Sequence, residues 1–365
     1  MTRVVLAGGG TAGHTSPLIA TAQALQELDP GVEITCIGTE KGLETKVIPQ
    51  AGLQLELIRP VPLPRTLNLD LVKLPWNLTQ SVRQARAILR RSRAEVLVGF
   101  GGYVSIPAYL AARTMRIPVC VHEANRVVGV ANKVAARFAR FTGYTFPETN
   151  IRGGVRIGMP INRSITAPTI TRDQARQRFG LDVERPTLLV SGGSQGARAI
   201  NEAVQAAVPE LLARGIQVLH VLGGKNFTDQ DVVITDPSGA SYVPVAYVDA
   251  MIEAYMAADL MVGRAGAGTV METAVLGLPV VFIPLPWGNG EQARNAAGLV
   301  ADGAGIMLPE AELSAARLLE VVVPTITDAQ ELTRMGALAT PHSPADAADV
   351  LAKQALLAAS REEEK

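Results

Sequence analysis

The chain has 365 residues, 48% of them apolar, enough for two cores of the ~150–200 residues that single domains favour. Lys+Arg 34 and Asp+Glu 34 cancel, which excludes a protein that holds nucleic acid by bulk positive charge and leaves any basic partner surface to be local. Two cysteines, Cys36 and Cys120, lie in apolar strand-like runs and read as reduced core residues of a cytosolic protein.

The opening MTRVVLAGGG has no apolar h-region and does not read as a secretory signal. Arg3–Ala7 is a β-branched, apolar run that predicts a strand. Gly8-Gly9-Gly10-Thr11-Ala12-Gly13-His14 follows as a phosphate-type loop, and an Ala/Leu-rich helix runs on to about Leu28. A second strand over 32–37 ends at Gly38-Thr39, and Lys41-Gly42-Leu43-Glu44 opens the next helix. Residues 68–93 mix Leu69, Leu71, Leu74, Trp76 and Leu78 with Lys73, Arg83, Arg86, Arg90, Arg91 and Arg93. This pattern fits either a surface that meets anionic lipid or an amphipathic helix with its apolar face in the core. Residues 95–98 predict a strand ending in Phe100-Gly101-Gly102-Tyr103-Val104-Ser105, and 119–121 one leading into His122-Glu123-Ala124-Asn125. Strand ends carrying glycines or polar groups are where an open parallel sheet binds ligands.

After Met159-Pro160-Ile161-Asn162-Arg163, the Thr/Pro-rich stretch 166–171 marks a domain boundary. Thr171 with Gln174 predicts a capping box for a helix over 172–179, which Gly180 stops. Residues 187–190 then predict a strand, and Ser191-Gly192-Gly193-Ser194-Gln195-Gly196-Ala197 leads into an alanine-rich helix. VVLAGGGTAGH has thus returned as TLLVSGGSQGA, which predicts two doubly wound α/β domains facing a cleft. Residues 259–295 predict a strand, a glycine turn from Gly263 to Gly268, a helix opened by Thr269, a strand over 280–283 and a polar loop. Residues 273–290 carry no charge and approach the length of a membrane span, but Pro279, Pro284 and Pro286 break a spanning helix. No other run qualifies, so membrane contact is expected from the surface. Residues 344–359 read as a helix and 361–365 as a charged tail.

Two glycine loops in matching places, with the turn from Arg264 to Glu272, point to a diphosphate ligand. No Walker pattern is present, and neither loop is GxGxxG with an acidic residue about 20 positions on, so a dinucleotide dehydrogenase is disfavoured. The free N–H groups at the start of the helix opened by Thr269 can face an anion. Glu272, placed on its first turn, either takes the hydroxyls of a ribose or merely complements the helix dipole. His14, His122, His220 and His342 are scattered, with no HxxxH or CxxC, so no metal is implied. His14, at the end of the first glycine loop, is either an acid–base group or a histidine at a helix N-terminus without a chemical role. His122-Glu123 is a second candidate pair, and His220, inside an apolar strand, reads as a core residue.

GGGTAGH at 8–14, GFGGYVSIPAYLAA at 99–112, HEAN at 122–125, GMPINR at 158–163, SGGSQGAR at 191–198, AGAGTVMETAVLGLP at 265–279 and GNGEQARNA at 288–296 run in order along nearly the whole chain. Together they resemble the bacterial peptidoglycan glycosyltransferases of family 28, which convert lipid I to lipid II. The resemblance implies the GT-B arrangement of two Rossmann-like domains. Residues 1–163 would form an acceptor- and membrane-facing domain, 164–343 the UDP-N-acetylglucosamine domain, and 344–365 a C-terminal helix and tail. It also places Val248 at the uracil, Glu272 on the ribose, Ser194, Gln195, Gly268, Thr269 and Val270 at the diphosphate, and Gln292 on the sugar. Thr11, Ala12, Gly13, Asn125 and Arg163 would complete that site. The first two glycine loops would receive the acceptor diphosphate, with His14 or Glu123 as base. Ala12, Ala265 and the loop Trp287-Gly288-Asn289-Gly290 depart from the family pattern.

The implied reaction is inverting transfer from UDP-N-acetylglucosamine to lipid I, with no cofactor or metal and the departing UDP cradled by helix N-termini. The implied place is the cytoplasmic face of the cell membrane, with an anionic lipid surface and other cell-wall and division proteins as partners and no nucleic acid. Alternatives on the same fold are a UDP-N-acetylglucosamine 2-epimerase and a non-catalytic sugar-nucleotide-binding subunit; the acceptor-side loop with His14 argues against both.

Overall fold

The computed structural model describes residues 1–360 except Thr11, Lys41, 62–68 and Gly288; the side chains of Ala12 and 69–73 also lie outside the description. The chain divides into two compact units, Met1–Asn162 with Pro344–Lys365, and Arg163–Ser343.

In the first unit the strands are β1 (Arg3–Ala7), β2 (Glu33–Thr39), β3 (Gln54–Ile58), β4 (Val96–Gly99), β5 (Val119–Glu123), β6 (Phe141–Tyr144) and β7 (Gly154–Arg156). They form one parallel sheet in the order β3-β2-β1-β4-β5-β6-β7. Both faces are buried, so the strands read as continuous apolar runs, yet successive residues still part to opposite sides. Val4, Leu6, Cys36, Val96, Val98 and Cys120 join one core, while Val5, Ala7, Ile37, Leu97, Val119 and Val121 join the other. Helices Ala12–Leu28 and Ala347–Ser360 cover the first face; Leu69–Arg91, Ser105–Met115 and Val130–Ala135 cover the second. Both cysteines are reduced and buried, as the sequence suggests.

The second unit repeats the plan with β8 (Thr187–Ser191), β9 (Gln217–Val221), β10 (Ile234–Thr235), β11 (Ser241–Val245), β12 (Leu260–Gly263), β13 (Val280–Phe282) and β14 (Gly305–Met307). Their order is β10-β11-β9-β8-β12-β13-β14, parallel except for the edge pair β10-β11. In each sheet the order reverses beside the first strand, between β1 and β4 and between β8 and β12. Loops leaving the C-terminal ends of these strands open the crevice in which doubly wound sheets bind ligands. All the glycine loops singled out in the sequence leave one of these four strand ends.

Two expectations need correction. Arg163 is the first residue of the second unit, where it opens the short helix Arg163–Thr166, and the Thr/Pro-rich stretch lies inside that unit. The C-terminal helix is part of the first unit: Leu351, Ala352, Ala355, Ala358 and Ala359 are buried in one core with Leu18, Leu25 and Val98. Its alanine face lets it lie close to helix Ala12–Leu28. The capping box at Thr171 and Gln174 is present. Residues 280–283 are a fully buried strand and its extension, and no helix among the described residues is long and apolar enough to cross a membrane.

Candidate active site

In the first unit the loops after β1 and β4 lie against each other. Phe100 N–H donates to Ala7 O (2.9 Å), and the Ser105 hydroxyl donates to Gly101 O (2.6 Å) with Ala7 O also within reach of its one proton (3.1 Å). Gly101 and Gly102 adopt φ of +90° and +83°, and a Cβ on Gly102 would stand 2.8 Å from Gly9 O. Only glycine fits that left-handed, close approach.

His14 is the third residue of helix Ala12–Leu28, one step into the helix and not the end of the loop. Its Nδ1 lies 3.2 Å from Gly9 O. A carbonyl only accepts, so Nδ1 carries the proton in this bond and the neutral ring bears its lone pair on Nε2. Nε2 faces the second glycine loop, 3.3 Å from where a Gly101 Cβ would be. Burial pulls the His14 pKa below its ordinary value, opposed by the Gly9 bond and the Glu44 charge.

The alternative base, Glu123, is committed elsewhere. Its carboxylate accepts from Asn125 N–H (3.0 Å), Gly129 N–H (2.9 Å) and Asn132 Nδ2 (2.9 Å) and is 3% exposed. It folds the loop after β5 onto helix Val130–Ala135. Asn132 in turn accepts from Tyr109 Oη (2.8 Å), which packs over Gly99. His122 is fully buried, meets Gly158 O through Nε2 (2.9 Å), and has its pKa lowered to about 4 by burial. His122 and Glu123, the second candidate pair, thus each hold a neighbouring loop in place. Asn125 is half-buried, its backbone tied to Glu123 and Thr149, and Gly13 lies on the first turn of the His14 helix. Thr11 and the Ala12 side chain fall outside the described residues.

In the second unit, Ser194 and Gln195 stand exposed at the tip of the loop after β8. Asn226 Nδ2 donates to Gln195 O (3.2 Å), and Gly196 packs so tightly on Leu222 O that a Cβ would overlap it. The helix that follows begins at Arg198. After β12, Gly266 caps helix Ala267–Leu276, so the helix opens two residues earlier than expected and Glu272 falls on its second turn. Val270 N–H already donates to Gly266 O (2.9 Å) and its side chain is fully buried. The N–H groups of Ala267, Gly268 and Thr269 precede that first helical bond and point out of the helix start, where an anion is favoured.

Glu272 Oε2 accepts from Tyr255 Oη (2.9 Å), and Tyr255 is buried. Burial raises the Glu272 pKa, countered by the tyrosine bond. Glu272 is thus a half-buried carboxylate on the second turn, held by a buried tyrosine, where a helix-dipole partner would sit exposed on the first. Sequence reasoning missed Tyr255, which lies 17 positions away on another helix. Arg264 Nη1 donates to Ile283 O (3.1 Å) and Pro284 O (3.2 Å) and ion-pairs with Glu310, fixing the loop after β13. Gln292 Oε1 accepts from Leu285 N–H (2.9 Å). Val248 is 7% exposed, and Arg163 is exposed at the start of its helix. His220 bridges Tyr242 Oη (3.1 Å) and Asn201 Oδ1 (3.2 Å) in the core, as the sequence suggests. No group of three metal-ligating side chains forms among the described residues.

Residues 4–143 match the glycosyltransferase family 28 N-terminal domain and 187–351 the family's C-terminal domain. The UDP-N-acetylglucosamine–N-acetylmuramyl-(pentapeptide) pyrophosphoryl-undecaprenol N-acetylglucosamine transferase of Cutibacterium acnes is 55% identical, covering 99% of this chain and 98% of the relative. The transferase of the same name from a Nocardioides strain is 52% identical over 96% of each chain. Among solved structures, MurG of Acinetobacter baumannii superposes with a TM-score of 0.76 at 26% identity, covering 98% of this chain and all of that one.

Proposed function

The chain belongs to glycosyltransferase family 28, and from that membership we propose that it transfers N-acetylglucosamine from UDP-N-acetylglucosamine to lipid I, giving lipid II for peptidoglycan. One structural observation carries the donor half of this reading: the Glu272 carboxylate, held by Tyr255, stands one turn from the outward N–H groups of Ala267, Gly268 and Thr269. A carboxylate beside an anion-binding helix start is what a ribose diphosphate needs, two hydroxyls for the one and two phosphates for the other. Ser194 and Gln195 add the tip of the loop after β8, Gln292 its amide to the sugar, and Val248 its backbone to the uracil. Asn125, Arg163, Gly13, Ala12 and Thr11 stay in the proposed substrate set.

The acceptor half rests on His14. As the 4-hydroxyl of the muramoyl sugar attacks C1 of N-acetylglucosamine, the C1–O bond to UDP breaks with inversion and the hydroxyl proton passes to Nε2 of His14. Burial helps, because it keeps the imidazole neutral near pH 7. UDP departs with its new charge facing the start of helix Ala267–Leu276.

For the lipid acceptor we propose peripheral docking at the cytoplasmic face of the membrane. Trp76 is 64% exposed near the start of helix Leu69–Arg91, and Arg83 and Arg90 are exposed further along. Ala85, Ile88 and Leu89 of the same helix are core residues, so ordinary packing takes its C-terminal part, and the exposed Trp76 with Arg83 and Arg90 supports the docking reading for the rest. The test is incubation with labelled UDP-N-acetylglucosamine and a lipid I analogue. A disaccharide product is expected; epimerised donor, or binding without turnover, would overturn the assignment.

A further inference from the structure

The first glycine loop is closed on its underside by a carboxylate of this chain. Glu44 is 0% exposed. Its Oε1 accepts from Thr39 N–H (2.9 Å) and Thr39 Oγ1 (2.8 Å), and its Oε2 from Gly10 N–H (2.8 Å). Glycines clear its seat on three sides. A Cβ on Gly9 or Gly42 would overlap the carboxylate, and one on Gly38 would stand 2.6 Å from its Cγ. Burying a carboxylate costs several kcal/mol unless donors surround it, and a neutral side chain could have tied the loop to β2 without that cost. The charge itself is therefore what needs explaining.

We propose that Glu44 is a positioning residue for glycosyl transfer, pinning the Gly9–Gly10 turn on which the His14 ring rests. The geometry is direct: Glu44 holds Gly10 N–H, and the neighbouring Gly9 carbonyl holds His14 Nδ1 at 3.2 Å. Among the described residues around His14, Glu44 supplies a charge from helix Glu44–Gln50, the second glycine loop presents Gly101 and Gly102, and the neutral Asn132 amide stands beside Gly101. Burial of the imidazole favours its neutral form, and the buried anion opposes that drift. It follows that Gly10 N–H is not a donor for the acceptor diphosphate, contrary to the expectation for this loop; anion contacts there fall to the start of helix Ala12–Leu28.

The inference rests on His14 acting as base, so His14→Ala is run alongside. Glu44→Gln removes the charge and keeps the shape. It is expected to move the acid limb of kcat to lower pH, and the His14 ring-proton titration seen by NMR with it. Plateau turnover should fall about threefold to tenfold, because a weaker base accepts the proton less readily, with donor KM unchanged. Glu44→Asp keeps the charge but shortens the reach to Gly10 N–H: kcat should fall at least about tenfold while its acid limb stays put. A folded Glu44→Gln protein with wild-type titration and pH profile overturns the proposal. If that variant does not fold, wild-type turnover in Glu44→Asp overturns it instead. Normal turnover in His14→Ala removes the base assignment itself, a result distinguishable from either.

Discussion

His14 and Glu272 are both half-buried ionisable groups, and burial moves them in opposite directions because each is pushed toward its neutral form. For His14 the neutral form is the working one. His14→Ala should lower kcat by about 10²–10⁴ while calorimetry finds UDP binding intact. For Glu272 the charged form is the working one, since a carboxylate accepts from both ribose hydroxyls and a protonated acid loses part of that capacity. Glu272→Ala should weaken UDP binding by about 1.5–3 kcal/mol. Because its pKa is raised, wild-type UDP affinity should decline with acidification earlier than an ordinary carboxylate would dictate, and Glu272→Gln should be weaker but flat over the same range. Unchanged UDP affinity in Glu272→Ala would return this residue to the helix dipole.

At the level of elements, the second glycine loop sets the first. Gly102 combines a φ of +83° with a Cβ position 2.8 Å from Gly9 O, so any side chain both strains its own backbone and pushes the first loop away. Gly102→Ala should cost about 1–3 kcal/mol of stability and most of the turnover, whereas UDP titration of the second unit should match wild type. Equal losses of both would mean that the substitution unfolds the chain and not the loop pair. The loop after β5 is governed in the same way by Glu123, which accepts from three donors within nine residues.

Across the whole molecule, each unit carries a neutral histidine in its core. His122 and His220 each have a pKa lowered to about 4 by burial, against about 6.5 in the unfolded chain. The unfolded state binds the extra proton, so stability is full above about pH 6.5 and falls as pH drops toward 4, by up to about 3 kcal/mol for each histidine. Thermal melts should lose Tm over that window, and His122→Asn with His220→Asn should flatten the slope even though both substitutions lower Tm at neutral pH. The membrane surface can be tested on the intact enzyme. Trp76→Ser with Arg83→Glu and Arg90→Glu should abolish salt-sensitive cosedimentation with anionic vesicles and spare activity on a soluble short-chain acceptor. Retained binding would move the docking surface, with Arg137 and Arg140 the next to examine.

The two-fold repeat of strand, glycine loop and helix was legible in the sequence because it rests on local physics: apolar runs, residues that tolerate positive φ, and helix formers in succession. For the same reason the family motifs, the capping box at Thr171 and the strand over 280–283 could be found without coordinates. What depended on contacts between distant residues could not. Tyr255 meets Glu272 across 17 positions, Glu44 meets Gly10 across 34, and the C-terminal helix joins a core whose strands lie more than 200 residues earlier. The choice between His14 and Glu123 was open in sequence, since both are ionisable groups at strand ends. The proposal for His14 leans on the folded surroundings: Asn125, Gly129 and Asn132 donate to the Glu123 carboxylate, while the Gly9 carbonyl meets Nδ1 of His14. Hydrogen-bond satisfaction is a property of the folded neighbourhood, and no spacing along a chain encodes it.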